Sequence, residues 1–149
     1  IVAGLKGGSL TEDESKSHFA IWSILASPLI MSNDLRELPE WAVKILRNKE
    51  IIAVDQDVMG KQGIRITPFE ETRSVWARPL ANGDVAVALH NHGEEVVDIP
   101  LDFKIIGNKT KYSLRDLYEH EELGEFEGRY VAKSVPVHGV QMLRLTPIA

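Results

Sequence analysis

Ser27-Pro28-Leu29-Ile30-Met31-Ser32-Asn33-Asp34 is the stretch on which the reading of this chain turns. Leu29, Ile30 and Met31 form an apolar run without polar alternation, the pattern of a strand covered on both faces. Pro28 stands at the start of that run, where a missing N–H costs least. Ser32, Asn33 and Asp34 then set side-chain donors and acceptors at the carboxyl end of the predicted strand. In barrels and open α/β sheets this is the end at which ligands meet the protein.

Helical patterns flank the stretch. Upstream, Thr11 and Glu14 form a capping box, and Glu12, Asp13 and Glu14 suit the positive end of a helix dipole. From Phe19 the pattern turns apolar through Ile21, Trp22, Ile24 and Leu25, as in a helix entering a core. His18 lies one turn before Trp22 and reads as a packed histidine. Downstream, Pro39 opens a short helix carrying Trp41, Ile45 and Leu46 on one face. Ile51, Ile52 and Val54 are a further apolar stretch, and Asp55-Gln56-Asp57 reads as a turn, since no calcium-loop pattern surrounds it. Before all of this, Ile1–Ala3 reads as a strand end. Gly4, Lys6, Gly7 and Gly8 read as a plain loop, since neither G-x-G-x-x-G nor G-K-[ST] occurs there.

Beyond Gly63 the grammar changes. Strand-like runs recur at Gly63–Ile66, Ser74–Arg78, Asp84–His90, Glu95–Ile99, Lys111–Leu117, Arg129–Val135 and Val140–Leu145, with turn residues between them. Asn82-Gly83 reads as a hairpin turn by composition, since both residues tolerate positive φ. Val85, Val87 and Leu89 alternate with Ala86, Ala88 and His90. The prediction is α/β over residues 1–61 followed by an all-β antiparallel sandwich over residues 62–149. The first part is too small to be a whole α/β unit. Two strands cannot cover Phe19, Trp22 and Trp41, so upstream residues or another chain are expected to do so.

The bulk numbers exclude several classes. The chain has 149 residues, 44% hydrophobic and 26% charged, an ordinary globular composition. A net charge of −5 argues against nucleic acid as a partner. The absence of cysteine excludes disulfides, thiolate metal sites and cysteine nucleophiles. No apolar run is long enough for a membrane-spanning helix, so no membrane partner is expected. The chain opens in the middle of a strand-like run without Met, the pattern expected of a processed chain or a piece of a longer one.

The run from His18 to Arg36 resembles the last helix–strand unit of family 27 glycoside hydrolases, the α-galactosidases. Asn48–Asp57 with Gly60-Lys61-Gln62-Gly63 is similar to that family's exit from its barrel, and Val75–Leu80 to the start of its C-terminal domain. Ser113-Leu114-Arg115-Asp116-Leu117-Tyr118 resembles the family's Arg-Asp-Leu-Trp segment, with Tyr118 in place of Trp. Val135–Val140 and Leu143–Pro147 resemble its closing strand pair. The resemblance implies the last βα units of a (β/α)8 TIM barrel plus a C-terminal antiparallel β-sandwich. Ile1–Ala3 then ends the seventh barrel strand, and Pro28–Ser32 is the eighth. A barrel needs about 250 residues, so about 200 more are expected upstream.

The resemblance further implies retaining hydrolysis of terminal α-D-galactosyl residues by two aspartates, with no metal and no cofactor. The nucleophile of the family lies in a Lys-Tyr/Phe-Asp strand end and the acid/base in an Arg-x-x-x-Asp segment. Neither motif occurs here, so no catalytic residue is assigned and this polypeptide by itself is expected to be inactive. Ser32, Asn33 and Asp34 are the substrate-binding candidates, as the outer wall of a galactoside pocket; the competing reading is that they cap the following segment. Arg36 is expected to pair with a carboxylate. Trp76 reads as junction packing, His138 as a hydrogen-bonding wedge, and Glu119, Glu121 and Glu122 with His120 as a solvated acidic edge. Asn108-Lys109-Thr110 is a glycosylation acceptor pattern in a eukaryotic secretory pathway. The resemblance implies a secreted or lysosome-like location and leaves an oligomer open. Two alternatives stand beside this reading. One is a non-catalytic β-sandwich accessory module binding carbohydrate or a partner chain. The other is the same enzyme class acting on α-N-acetylgalactosaminides or β-L-arabinopyranosides.

Overall fold

A capping box starts the first helix as its sequence requires. Thr11 N donates to Glu14 Oε2 at 2.7 Å and Glu14 N donates to Thr11 Oγ1 at 3.2 Å, so two otherwise orphaned N–H groups are satisfied at the head of α1 (Glu12–Ile24). The computed structural model describes residues 1–4, 8, 10–68 and 72–148; Lys6 and Gly7 of the expected glycine loop lie outside the described residues. Pro39 precedes α2 (Glu40–Leu46) as its N-cap rather than as its first helical residue. The apolar stretch at Ile51–Val54 is a third helix, α3 (Lys49–Asp55), capped by Asn48.

Eight strands follow among the described residues: β1 (Ile64–Arg65), β2 (Arg73–Pro79), β3 (Val85–Asn91), β4 (Val97–Asp102), β5 (Lys111–Asp116), β6 (Glu121–Glu127), β7 (Arg129–Val135) and β8 (Val140–Pro147). They form a six-stranded antiparallel sheet in the order β1-β2-β3-β8-β5-β6 and a two-stranded sheet of β4 and β7. Seven of these strands lie where the sequence places them. The eighth, β6, falls on the acidic segment expected to be a solvated edge. It is both: an edge strand whose row of carboxylates keeps its unpaired backbone from templating further pairing. At the Asn82-Gly83 turn only Gly83 takes positive φ (89°). Gly83 N donates to Leu80 O, and Leu80 N to Asp84 O, so the expected hairpin turn is a type I turn with a glycine bulge.

The large sheet is buried on both sides. Val87, Leu89, Leu143 and Leu145 face β4 and β7, while Ala86, Ala88 and Met142 face the helices. The alternation along β3 therefore separates two cores rather than core from solvent. The small side chains of Ala86 and Ala88 let α1 approach, and Phe19 and Ile24 pack there, 2% and 0% exposed. This corrects the expectation that Phe19 needs a barrel to cover it: the sandwich sheet does so. Trp22 remains 38% exposed.

The predicted strand at Leu29–Met31 also needs correction. No strand covered on both faces forms there; Ile30 is 73% exposed and Met31 41% exposed. A γ-turn centred on Leu29 opens the segment, with Ile30 N donating to Pro28 O at 2.9 Å, and its ladder partner is confined to Ile1. The Ile1 amine donates to Ile30 O at 2.8 Å and Ser32 N donates to Ile1 O at 3.0 Å. One residue bonding to the two residues that flank its opposite number is the pattern of a parallel pair.

Candidate functional site

The parallel pair carries the predicted tip. Asn33 Nδ2 donates to Ala3 O at 2.5 Å and holds the two extended segments side by side. Asn33 Oδ1 is buried and has no hydrogen-bond partner among the described residues. Ser32 is exposed beside it. Asp34 is engaged: Arg36 donates to it through Nε at 2.9 Å, Nη2 at 2.6 Å and its backbone N at 3.0 Å. Those bonds, the side-chain ones foremost, hold the Asp34 carboxyl below the usual range. Arg36 thus has the carboxylate partner expected for it. The tip offers the Ser32 hydroxyl to a hydroxylated ligand; the Asn33 amide oxygen is shielded from solvent. It has no carboxyl positioned to exchange protons, because Asp34 is tied as a salt bridge.

The other singled-out residues are structural. Asp57 accepts from Met59 N and Ala81 N and so docks its turn against the β2–β3 hairpin. Asp55 is buried, which raises its carboxyl pKa, and Gln56 donates to it. Trp76 is half-buried in the helix-side core with its indole N–H on Ser74 Oγ at 3.0 Å. Among the described residues no group of three or more His, Asp or Glu side chains is placed to hold a metal ion.

Polar contacts that sequence reasoning missed join the helices to the sheet. Asn48 Oδ1 caps α3 by accepting from Glu50 N and Ile51 N, both at 3.1 Å, while its Nδ2 donates to Leu117 O at 2.7 Å. Arg115 reaches from β5 to Glu50 with Nε at 2.6 Å and Nη2 at 2.9 Å, and to Glu122 with Nη1 at 3.0 Å. His120 Nδ1 lies 2.6 Å from the other side of the same Glu50 carboxylate. Arg115 first, with help from His120, holds Glu50 at a pKa of about 2. The Tyr118 hydroxyl donates to Lys16 O at 2.6 Å. Arg78, fully buried, donates from Nη1 to Ser23 O at 2.7 Å. A signal for this junction did exist: arginines in strands beside apolar neighbours, where a solvated face has no need of them.

Two cavities flank the junction. One, of about 950 Å³, lies beside α1, α2 and α3 and is bordered by Lys16, Trp41, Asn48, Glu50, Tyr118 and His120. The other, of about 400 Å³, lies between α1 and β3 and collects His18, His90, His92 and His138.

The arrangement has known counterparts. The family model for the α-galactosidase C-terminal β-sandwich domain matches residues 70–145, and that for α-galactosidase A matches residues 2–57. The chain belongs to the α-galactosidase family. Alpha-galactosidase 3 of Arabidopsis thaliana is 35% identical over 144 residues, which cover 94% of this chain and 33% of that protein. The crystal structure of α-galactosidase I from Mortierella vinacea superposes with a TM-score of 0.90 at 28% identity, covering 99% of this chain and 39% of that one. A β-L-arabinopyranosidase from Geobacillus stearothermophilus shares the fold, with a TM-score of 0.89 at 24% identity over 100% of this chain and 37% of that one. The chain thus spans about a third of the length of the curated α-galactosidase it matches.

Proposed function

We propose that this chain is the C-terminal part of a retaining glycoside hydrolase that cleaves terminal α-D-galactosyl residues. In this reading residues 1–61 are the last βα units of a (β/α)8 barrel and residues 62–149 are its C-terminal sandwich. The observation that carries it is the parallel hydrogen bonding of Ile1 to the Ile30–Ser32 segment. Adjacent parallel strands joined by a helix are the repeating unit of such a barrel. Ile1–Ala3 ends its seventh strand and Pro28–Ser32 serves as its eighth. The exposure of Ile30 and Met31 fits a strand that other barrel elements go on to cover.

The chemistry belongs to two aspartates outside this chain, with carboxyls about 5 Å apart. One attacks the anomeric carbon as the other protonates the departing oxygen. The second then takes a proton from water, which displaces the first. Ser32, Asn33 and Asp34 stand at the carboxyl ends of the strands, where the pocket wall lies. Ser32 faces the sugar, Asn33 ties the two strand ends together through Ala3 O, and the Asp34–Arg36 pair fixes the loop behind them. No step draws on a metal or cofactor.

The test is expression of the whole reading frame beside this chain alone, each with an aryl α-galactoside. Turnover by the longer protein, with the α-anomer released first in an NMR time course, is the expected result. Turnover by this chain alone, or inversion by the longer protein, sinks the proposal. Aryl β-L-arabinopyranoside and α-N-acetylgalactosaminide assayed in parallel decide which sugar the class takes here.

One observation favours a second reading. Phe19 and Ile24 are buried by the sandwich itself, so the helices need no barrel to hold them. That suits an accessory module binding carbohydrate or a partner chain. Binding of soluble galactosides by this chain alone, measured calorimetrically, distinguishes the two.

A further inference from the structure

Four of the five histidines, His18, His90, His92 and His138, meet in the cavity of about 400 Å³ between α1 and the large sheet. Trp22 and Glu14 share its lining. His90 is on β3 and His92 is the first residue beyond it, on the same side, with ring centroids 5.6 Å apart. His18 stands edge-on to Trp22, with ring centroids 5.2 Å apart. We propose that this histidine cluster is a proton-operated joint, through which acidification loosens α1 from the sheet.

The argument is one of charge accounting. Both nearby carboxylates already serve His138. Glu14 Oε2 accepts from Thr11 N, and its Oε1 lies 3.0 Å from His138 Nδ1. Glu94 Oε1 lies 3.4 Å from His138 Nε2. Ser17 Oγ donates to His138 O at 2.6 Å and fixes that turn against α1. Among the described residues, the charged and titratable groups acting on His90 are His92, His138 and Arg65, all of one sign when protonated, while Glu14 borders the same cavity but is taken up by Thr11 and His138. A proton placed on His90 is therefore partly desolvated and faces like charge. The helix cannot relieve that charge in place; separating from β3 lets water do so.

The titration directions agree. Burial first, then the neighbouring cations, push His90 down to about 4. Burial also lowers His18. For a histidine depressed in the folded state, the unfolded chain takes up the proton first. Its contribution to stability is full above about 6.5 and is lost progressively as the pH falls toward 4. His138 runs the other way. Its pKa is raised, chiefly by Glu14, so that contact is complete in mild acid and is lost as the pH rises through the raised value. The His138 contact thus persists at the first turn of α1 while the His90 contact fails beneath the helix.

The test is amide hydrogen exchange at pH 7 and pH 4.5, corrected for intrinsic rates. The native chain is compared with His90→Leu and His90→Gln, neither of which titrates. A drop of at least tenfold in α1 protection is expected in the native chain, with β4 and β7 unchanged and with both variants within threefold. Equal loss in native and variants, no loss in the native chain, or loss shared by β4 and β7 overturns the joint. If neither variant folds, imidazole NMR of the native chain decides: a His90 midpoint well below about 6.5, with α1 protection falling between about 6.5 and that midpoint, is expected, and a midpoint at or above about 6.5 overturns the joint. The readout is α1 protection rather than sugar hydrolysis, so the outcome stands apart from the galactosidase reading.

Discussion

Asn48 uses one buried side chain to hold two elements. Its oxygen caps α3, and its NH2 satisfies the carbonyl of Leu117 just beyond β5. Asn48→Ala removes the cap and leaves a buried carbonyl unpaired. Together these cost about 2–3 kcal/mol, measured by urea denaturation. Asn48→Asp keeps the acceptor and loses the donor, so its loss falls between alanine and wild type. A midpoint for Asn48→Ala within error of wild type sinks this account. The contrast with Thr11 and Glu14 shows what sequence can reveal at this scale. Their reciprocal bonds span three residues and are written locally. The partner of Asn48 lies 69 residues away, which no local pattern encodes. At the candidate tip the same limit applied: the Asp34–Arg36 pair is local, whereas the bond from Asn33 to Ala3 spans 30 residues.

At the scale of elements, the seam between α1 and β3 depends on small side chains. Ala86 and Ala88 are fully buried beneath Phe19 and Ile24. Ala88→Leu overpacks that seam and is expected to cost about 1–3 kcal/mol, with the helical signal lost ahead of the β signal in thermal unfolding. A variant as stable as wild type places the seam elsewhere. A second seam, between α3 and the β5–β6 hairpin, is ionic. Glu50, held at about 2 by Arg115 and then His120, stabilises the fold fully above the ordinary glutamate value near 4.5; that contribution disappears as the pH falls toward 2. Glu50→Gln should lower the midpoint at pH 7 and flatten the acid limb below 4.5. Parallel acid limbs in native and variant would remove Glu50 as the cause. Strand existence was legible because period-two runs and turn residues recur along the chain. β6 was not, because an edge strand needs charge rather than alternation. α3 was not, because its short apolar run, Ile51–Val54, reads equally as strand or helix.

At the scale of the whole molecule, two readings of one segment diverge, and the divergence is physical. Leu29–Met31 has the composition of a strand covered on both faces, yet here Ile30 bonds to Ile1, only Leu29 packs on the core, and Ile30 and Met31 face outward. Composition records the environment a segment is built for. The fold shows what the rest of the chain supplies, and the sheet β1-β2-β3-β8-β5-β6 helps cover α1 but leaves Ile30 and Met31 open. Ile30 at 73%, Leu35 at 66% and Met31 at 41% exposure therefore form an apolar flank on one short stretch of chain. Such a flank promotes association when nothing covers it. Sedimentation velocity on this chain should show a mass that rises with concentration. Ile30→Lys combined with Leu35→Lys should return it to a monomer. Both positions are exposed, so the urea midpoint of that double variant should shift by no more than about 0.5 kcal/mol per substitution. A native chain that stays monomeric at every concentration means the flank is tolerated in water, and the accessory-module reading gains. Association that survives both lysines means a different surface is responsible. Association that disappears with them locates the uncovered face on the segment that the barrel reading makes its eighth strand.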